Sequence, residues 1–296
     1  MRLPSASLQY HVPAVAAEQW PCRSAHDAIN EMAKEGLQKG KRCHVVDCDL
    51  EKFFDTVDHQ KLMSRLRQRI TDPELLALIL KYLKAGAISH GGSYEKQLMG
   101  VPQGGPLSPL LANILLDELD TELEEREHKF VRYADDFVIL CSSQRAGERI
   151  LRSVRNYLAE KLKLIVNETK SRVVKLAEAS FLGFHIVQRR VRWTPKSQKK
   201  FKAKVKQITK RTRGHSSGKV IADLTLYLRG AFNYYEPGTA FGEARELDRW
   251  IRRRVRLYYW KQWGRPKTRR RKLVKLGIGR GEKSTKRVEA EKAIGR

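Results

Sequence analysis

Along the first two thirds of the chain, short apolar runs typical of strands lie between segments whose apolar residues recur with a helical period. A run over 43–49 ends at carboxylates and predicts a buried strand, and two runs around Tyr133 and Asp136 predict a strand, a turn and a strand. Further helices are predicted at about 24–37, 58–69, 73–84, 108–126 and 144–161, and short strands at 94–99 and within 164–193. Intermixed helices and strands predict an α+β fold, with one antiparallel sheet packed on helices.

After Thr194 and Pro195 the pattern becomes helical, with helices predicted at about 196–211, 219–235 and 243–263. In the third of these helices the apolar residues fall on one stripe, which consists of Leu247, Trp250, Ile251, Val255 and Tyr258. Arginines fall mostly on the opposite side, as expected for a helix with one buried face. From Gly277 the residues are mostly polar and charged, and this composition predicts a frayed tail. The back part is therefore predicted to be all-α.

The distribution of charge along the chain indicates more about its partner than the overall composition does. The 296 residues carry a net charge of +27, with an apolar fraction of 41% that is typical of globular proteins. From 196 to 296 there are 31 Lys and Arg against 8 Asp and Glu, whereas the residues before that segment sum to only +4. So large an excess in one part of a chain repels itself unless a polyanion balances it. Nucleic acid is the expected partner of the back part.

The four cysteines form no CxxC pair and have no zinc-site spacing with histidine, so neither a disulfide framework nor a zinc module is indicated. No stretch of about 18 apolar residues is present, and the start of the chain does not resemble a signal peptide. We expect a cytoplasmic protein without a membrane partner.

Two adjacent carboxylates, Asp135 and Asp136, lie at the predicted turn. Like charges at contact distance raise each other's pKa, so a neutralising metal ion is the first interpretation. The predicted strand at 43–49 adds Asp47 and Asp49, which would face the same side of the strand. If these elements are neighbours in one sheet, two or three carboxylates could hold two magnesium ions for phosphoryl transfer on a nucleotide. The alternative is a surface turn, in which Asp is a favoured residue.

Three motifs together resemble the reverse transcriptases encoded by bacterial group II introns. They occur in the order and spacing of that family, and the resemblance runs from about Arg23 to Ile278. The motifs are YADD at 133–136, VDCDLEKFFD at 46–55 and VPQGGPLSPLL at 101–111. The resemblance implies a polymerase palm followed by a basic all-α thumb, which is also the maturase-specific domain.

The resemblance also implies roles for individual residues. Asp49, Asp135 and Asp136 match the aspartates that bind two Mg²⁺ ions, and it is the family pattern that chooses Asp49 over Asp47. Lys170 matches a lysine proposed to protonate the pyrophosphate leaving group, although a solvated loop lysine is the common alternative.

Other matched positions concern the nucleotide and the primer. The residues implied to contact the incoming nucleotide are Leu50, Phe54, Gln103 and Gly104. Among them, Phe54 matches the bulky residue that excludes ribonucleotides, with core packing as its alternative role. The residues implied to grip the primer end are Phe181, Leu182 and Gly183.

The basic helices resemble the maturase-specific thumb, with the likeness carried by 229–235 and 260–263. The candidate RNA-binding residues are Lys199, Lys200, Arg252, Arg253, Arg256, Lys261, Arg269 and Arg270. The implied partners are a group II intron RNA, an RNA template with a DNA primer, and dNTPs. A homodimer stays open, and the expected location is the nucleoid or a ribonucleoprotein in the cytoplasm.

The sequence predicts four segments: an unassigned start at 1–22, a palm with a remnant of the fingers at 23–193, the maturase-specific domain at 196–278 and a charged tail at 279–296. Family members carry a fingers region upstream of Ser24, and its basic residues are predicted to be missing here.

The leading functional hypothesis is a reverse transcriptase and maturase. The first alternative is a catalytically impaired fragment that binds RNA only, or a non-functional remnant. A template-independent nucleotidyltransferase or an abortive-infection reverse transcriptase would share the palm, but the maturase-like end argues against both.

Overall fold

The structure is a computed structural model of the chain. It describes residues 24–37, 44–85, 87–88, 94–95, 99–102, 105–187, 190–212, 214–275 and 277. The chain divides into two compact units, a front unit, Met1–Thr194, and a back unit, Pro195–Arg296.

The helices described in the front unit are α1 (Ala25–Gly36), α2 (Phe53–Thr56), α3 (His59–Arg69), α4 (Pro73–Lys84), α5 (Ser108–Glu125) and α6 (Gln144–Tyr157). The strands are β1 (His44–Cys48), β2 (Ala87–Ile88), β3 (Tyr94–Glu95), β4 (Lys129–Tyr133), β5 (Asp136–Cys141), β6 (Arg172–Lys175), β7 (Ser180–Phe181), β8 (Phe184–Val187) and β9 (Arg190–Trp193). Side chains cap several helices: Asp72 accepts hydrogen bonds from two backbone N–H groups at the start of α4, where Pro73 occupies the first turn.

The described strands form three antiparallel sheets instead of the single predicted one. The largest has the order β4-β5-β1-β6, β2 pairs with β3, and β7, β8 and β9 form the third. The predicted strand at 94–99 is observed over Tyr94–Glu95, and 96–98 lie outside the described residues. The predicted α+β class, an antiparallel sheet packed on helices, is confirmed.

Each face of the four-stranded sheet belongs to a different hydrophobic core, because side chains alternate along a strand. On one face Val46 and Ile139 belong to the first core, which contains residues of α3, α4, α5 and α6. On the other face Val45 and Val138 belong to the second core, with residues of α1 and of the β7–β9 sheet. The sheet is therefore covered on both faces by apolar side chains.

Helix α6 is followed directly by a π-helical turn, Leu158–Leu162, so the predicted helix at 144–161 is continuous but changes its hydrogen-bond pattern. The turn ends at Lys163, which has a left-handed backbone with φ 56°. Its ammonium forms an ion pair with Asp58, the residue that caps α3, at 2.9 Å. This contact ties the end of the π-helical turn to the start of α3.

The back unit consists of helices among the described residues. They are α7 (Pro195–Ile208), α8 (Ser217–Tyr235), α9 (Phe241–Gln262) and α10 (Pro266–Lys275). Phe201 of α7 is 1% exposed and packs against Tyr227 and Phe232 of α8 at ring distances of 5.7 and 5.9 Å. In α9 the predicted stripe is buried at Leu247, Ile251 and Tyr258. The sequence did not predict α10, and α10 has no buried residue that could have signalled it.

Within the described part of the chain, no helix is both long and apolar enough to cross a membrane.

Candidate active site

The end of strand β1 and the start of strand β5 bring two of the predicted carboxylates, Asp49 and Asp136, to one face of the sheet. These strands are antiparallel, and their last pair is Cys48 with Phe137. Asp49 follows that pair on one strand and Asp136 precedes it on the other. By alternation both lie on the face that carries the second core, beyond its apolar side chains. Carboxylates nearly 90 residues apart in sequence are thus neighbours in space.

A two-residue turn carries the adjacent carboxylates. Tyr133 pairs with Asp136, so Ala134 and Asp135 form the turn between β4 and β5. Ala134 has φ 56°, in the left-handed region that is unfavourable for a residue with a Cβ atom. Its carbonyl oxygen accepts a hydrogen bond at 2.9 Å from the Nη1 group of Arg132, a buried side chain that sequence reasoning did not single out.

The loop before β6 encloses the backbone of Asp49. The N–H of Asn167 donates to the Asp49 carbonyl oxygen at 2.8 Å, and the N–H of Asp49 donates to Oγ of Ser171 at 3.0 Å. The amide oxygen of the Asn167 side chain accepts the backbone N–H of Lys170 at 3.2 Å, which bends the loop into a turn. The loop therefore delivers Lys170 to Asp49.

Lys170 and Asp49 form an ion pair in the structure. The Nζ atom of Lys170 lies 2.8 Å from Oδ2 of Asp49, and 66% of the lysine side chain is exposed. The hydrogen bond with Asp49 and the charge of that carboxylate raise the pKa of Lys170. The ammonium is therefore fully protonated at neutral pH.

Burial and neighbouring charges raise the pKa of two carboxylates at this face, Asp136 and Asp47. Burial, followed by the charges of Asp135 and Asp49, raises the pKa of Asp136. Burial also raises the pKa of Asp47 to about 6, assisted by Asp136 and Asp49 and opposed by Arg172. A cation at this face would relieve the repulsion.

The donor set suits magnesium, which prefers hard carboxylate oxygens. Among the residues that the structure describes, no three His, Cys, Asp or Glu side chains converge closely enough to hold a metal ion. The ammonium of Lys170 is instead the cation in contact with Asp49. The residues present fit a magnesium site in chemistry and in the repulsion that a divalent ion would cancel.

The predicted nucleotide-binding residues lie in two segments. Leu50 is 5% exposed and bridges Val166 through its backbone, so its side chain belongs to the first core. Phe54 is half-buried at the edge of the same core. Gln103 and Gly104 lie outside the described residues.

Backbone hydrogen bonds join the segment before Gln103 to the short helix α2, which carries Phe54, and to the residue that follows it. The N–H of Val101 donates to the Phe54 carbonyl oxygen at 2.6 Å, and the N–H of Gly100 donates to that of Val57 at 2.7 Å. Buried His59 contacts the Gly100 carbonyl oxygen through Nε2 at 2.6 Å. These contacts hold the two segments at a fixed separation.

The predicted primer-grip residues form the hairpin between β7 and β8. Phe181 pairs with Phe184, and the turn residues Leu182 and Gly183 have φ values of 51° and 81°. Positive φ at both central positions is typical of a tight hairpin turn. Phe181 is buried in the second core, so the hairpin packs on the sheet face that carries the carboxylates.

The predicted RNA-binding residues all lie in the back unit. The exposed ones are Lys199 and Lys200 on α7, Arg252, Arg253, Arg256 and Lys261 on α9, and Arg270 on α10. Arg269 differs, because its guanidinium lies 5.1 Å from the Trp260 ring centroid and the residue is half-buried. Arg252 also forms an ion pair with Asp248 at 2.8 Å.

Sequence reasoning missed the residues that hold the site in place. They are Arg132, Asp120, Asn113, Asn167 and Ser171. One signal was available: Asp120 falls among the buried leucines of α5, where a carboxylate requires a partner.

Protein-family models match both units of the chain. The family model for reverse transcriptase (RNA-dependent DNA polymerase) matches residues 5–186, more than half of the chain. The chain belongs to the reverse transcriptase family. The model for the group II intron, maturase-specific domain matches residues 198–277 of the chain. The resemblance that the motifs predict is confirmed, although the family match begins at residue 5 and the motifs indicate likeness only from about 23.

Curated relatives of the chain include "Protein YkfC" of Escherichia coli, which is 32% identical over an alignment of 212 residues and is matched over 58% of this chain and 55% of YkfC. "Group II intron-encoded protein LtrA" of Lactococcus lactis is 28% identical over 57% of this chain and 39% of LtrA. Among solved structures, apo telomerase from Candida tropicalis gives a TM-score of 0.48 at 13% identity, over 62% of this chain and 38% of that chain. The chain thus spans about half or less of the length of these relatives.

Proposed function

We propose that this chain is an RNA-directed DNA polymerase that also binds group II intron RNA as a maturase. The observation that carries the proposal is that Asp49 and Asp136 lie on one face of the sheet beside the turn that carries Asp135, with the Lys170 ammonium 2.8 Å from Asp49. Membership of the reverse transcriptase family supports it.

Asp49, Asp135 and Asp136 would hold two magnesium ions. When bound, magnesium supplies positive charge that favours deprotonation of a primer 3′-hydroxyl and neutralises a departing pyrophosphate. The 3′-hydroxyl gives its proton to water and its oxygen attacks the α-phosphorus of a dNTP. A new P–O bond forms while the bond from the α-phosphorus to the oxygen that bridges it to the β-phosphorus breaks, and that oxygen leaves with pyrophosphate.

Lys170 would supply the proton for the leaving pyrophosphate. The ammonium carries the proton that the departing oxygen takes up as negative charge develops on it. Because 66% of the side chain is exposed, the ammonium can exchange Asp49 for a pyrophosphate oxygen without disturbing the core. The turn held by Asn167 sets the point from which the side chain reaches.

Phe54 would exclude a ribose 2′-hydroxyl, and the hairpin of Phe181, Leu182 and Gly183 would support the primer end. Gln103 and Gly104 would lie against the incoming nucleotide, where an absent side chain lets backbone approach closely. The side chain of Leu50 faces the core, so its contribution would be through its backbone.

The back unit would bind structured RNA through phosphate contacts. Its exposed lysines and arginines support this proposal, together with the maturase-specific family match. Splicing assistance and copying would then act on the same intron RNA, in a cytoplasmic ribonucleoprotein.

Primer extension on an RNA template with dNTPs and magnesium tests the polymerase. Wild type should extend the primer, and Asp49→Asn should reduce extension by at least about 10³-fold, because several kcal/mol of charge stabilisation at the reacting centre are lost. Glu124→Gln, which removes an exposed carboxylate of α5, is the matched control and should keep wild-type extension. Absence of extension by the wild type would contradict the polymerase proposal.

Salt dependence of RNA binding tests the maturase part separately. Substituting Lys199 and Lys200 together by Gln should lower the slope of log K against log salt by about 0.7–0.9 for each phosphate that the protein no longer neutralises. The same substitutions at Lys81 and Lys84 of the front unit are the control and should leave the slope unchanged. RNA binding with no extension would point to the binding-only alternative, and equal slopes for both pairs would contradict the RNA surface.

A further inference from the structure

Arg132 is a buried cation between helix α5 and the turn that carries the carboxylates. It is 3% exposed and Asp120 of α5 is 4% exposed. The Nε atom of Arg132 lies 2.8 Å from Oδ1 and 3.1 Å from Oδ2 of Asp120, and Nη2 also donates to Oδ2. Such a forked pair fixes the plane of the guanidinium as well as its position.

The other arm of the guanidinium reaches the turn. Nη1 of Arg132 donates to Oδ1 of Asn113 at 2.8 Å and to the carbonyl oxygen of Ala134 at 2.9 Å. Asn113 and Asp120 both belong to α5, so one rigid helix holds the guanidinium at two points. The contact with Ala134 is therefore anchored in the helix and does not depend on a mobile side chain.

Ala134 needs such a contact. Its φ of 56° is a conformation that a residue with a Cβ atom adopts rarely, and it sets the direction of the following Asp135 and Asp136. A hydrogen bond to its carbonyl oxygen favours this conformation over extended alternatives. The charge of Arg132 is balanced by Asp120, so its effect on the turn is geometric.

We infer that Arg132, held by Asp120 and Asn113, is a positioning residue that fixes the Ala134 backbone and thereby the direction in which Asp135 and Asp136 present their carboxylates. The inference rests on the proposed polymerase function for its catalytic consequence. Helix α5 thus determines the shape of the turn through the guanidinium that its two side chains hold.

The experiment removes the buried pair as a whole, since loss of Arg132 alone would leave Asp120 buried without a partner. The double variant Arg132→Met/Asp120→Leu should fold and should lose about 10- to 100-fold in kcat, with KM for dNTP within about twofold of wild type. The magnesium concentration for half-maximal rate should rise about 10-fold. Arg65→Met is the matched control, because Arg65 pairs with Asp117 and Glu118 of the same helix and should change neither value.

Ala134→Gly separates positioning from general stability. Glycine adopts positive φ without strain. Adding Ala134→Gly to the double variant should therefore raise kcat by a factor at least about 10-fold larger than the factor by which Ala134→Gly alone changes kcat of the wild type. A folded double variant with kcat within about twofold of wild type would overturn the inference. Equal effects of Ala134→Gly in both backgrounds would overturn it too.

Amide hydrogen exchange over 129–141 tests the inference independently of catalysis. The double variant should exchange at least about 10-fold faster there than the wild type, and Arg65→Met should not. If the wild type had no polymerase activity, the proposed function would be refuted, but amide exchange over 129–141 could still be measured. Unchanged exchange over 129–141 in the folded double variant would then refute the role of Arg132.

Discussion

Gly100 is a position where one added methyl group should disturb the backbone of the site. Its φ is 89°, and a Cβ atom there would lie 2.7 Å from the carbonyl oxygen of Phe54 and 2.8 Å from that of Asp55. Both neighbours are backbone atoms, so no side-chain rotation can make room. Gly100→Ala must therefore move one of the two hydrogen-bonded segments.

The cost follows from the contacts of Gly100. A left-handed alanine costs roughly 1–2 kcal/mol. Moving the segment away weakens the hydrogen bonds from Gly100 to Val57, from Val101 to Phe54 and between His59 and Gly100, each worth about 0.5–1.5 kcal/mol. With partial relaxation we expect a loss of about 3 kcal/mol in the free energy of unfolding of the front unit. For a unit of this size that loss lowers Tm by about 6–12 °C.

Differential scanning calorimetry of wild type and Gly100→Ala measures this shift, and Gly230→Ala is the control. Gly230 lies inside α8, is exposed, and a Cβ atom there would meet no atom within 4 Å. The same substitution should therefore stabilise the back unit by about 0.5–1 kcal/mol. The same Gly→Ala substitution should thus destabilise the front unit at Gly100 and stabilise the back unit at Gly230.

An unchanged or raised Tm for Gly100→Ala would refute the reasoning. The same holds if the front-unit transition shifts equally for both variants, since the cost would then come from alanine itself and not from the close backbone contact.

Three further predictions concern charge, substrate selection and packing. Burial would raise the pKa of Asp58, but the hydrogen bond from the Lys61 backbone and the ion pair with Lys163 outweigh burial and lower the pKa. The charge of Asp58 therefore stabilises the fold at pH values above the unfolded pKa near 3.9. Asp58→Asn keeps the helix cap and should lower the free energy of unfolding by at most about 1 kcal/mol at pH 7. In thermal melts this cost should disappear as the pH falls through the folded pKa, and a cost that persists at low pH would show that charge is not its source. Phe54→Ala should raise kcat/KM for ribonucleotides relative to dNTPs by roughly 10–200-fold in single-nucleotide extension, and unchanged discrimination would remove Phe54 from that role. Phe201→Ala should destabilise the back unit by about 3–5 kcal/mol in denaturant titrations, because its buried ring is lost, and a loss below about 1 kcal/mol would contradict its central position.

The sequence predicted the turn of Asp135 and Asp136 well, because apolar runs on both sides leave a hairpin as the simplest structure. It left Asp47 and Asp49 open, since residues two apart share a face of a strand. In the structure both residues lie near Asp136. Besides burial, the charge of Asp136 contributes to the raised pKa of Asp47, and the charge of Asp49 contributes to the raised pKa of Asp136.

The supporting residues could not be predicted in the same way. Arg132, Asp120 and Asn113 meet only because β4 packs beside α5, and the period of neither element states which polar side chains will face each other. Helix α10 was missed for another reason: it buries no residue, and the contact of Arg269 with Trp260 of α9 leaves no periodic signal.

Strand β1 occupies an interior place in its sheet, with β5 on one side and β6 on the other. The pairing continues past its end, where Leu50 bridges Val166. Because β1 is hydrogen-bonded on both edges and the backbone of Asp49 is bonded to Asn167 and Ser171, local opening at this end is expected to cost more free energy than opening of an exposed element. Heating should therefore abolish function first through elements with few buried contacts, such as α10, while the carboxylate-bearing end of β1 is among the last parts of the front unit to lose its structure.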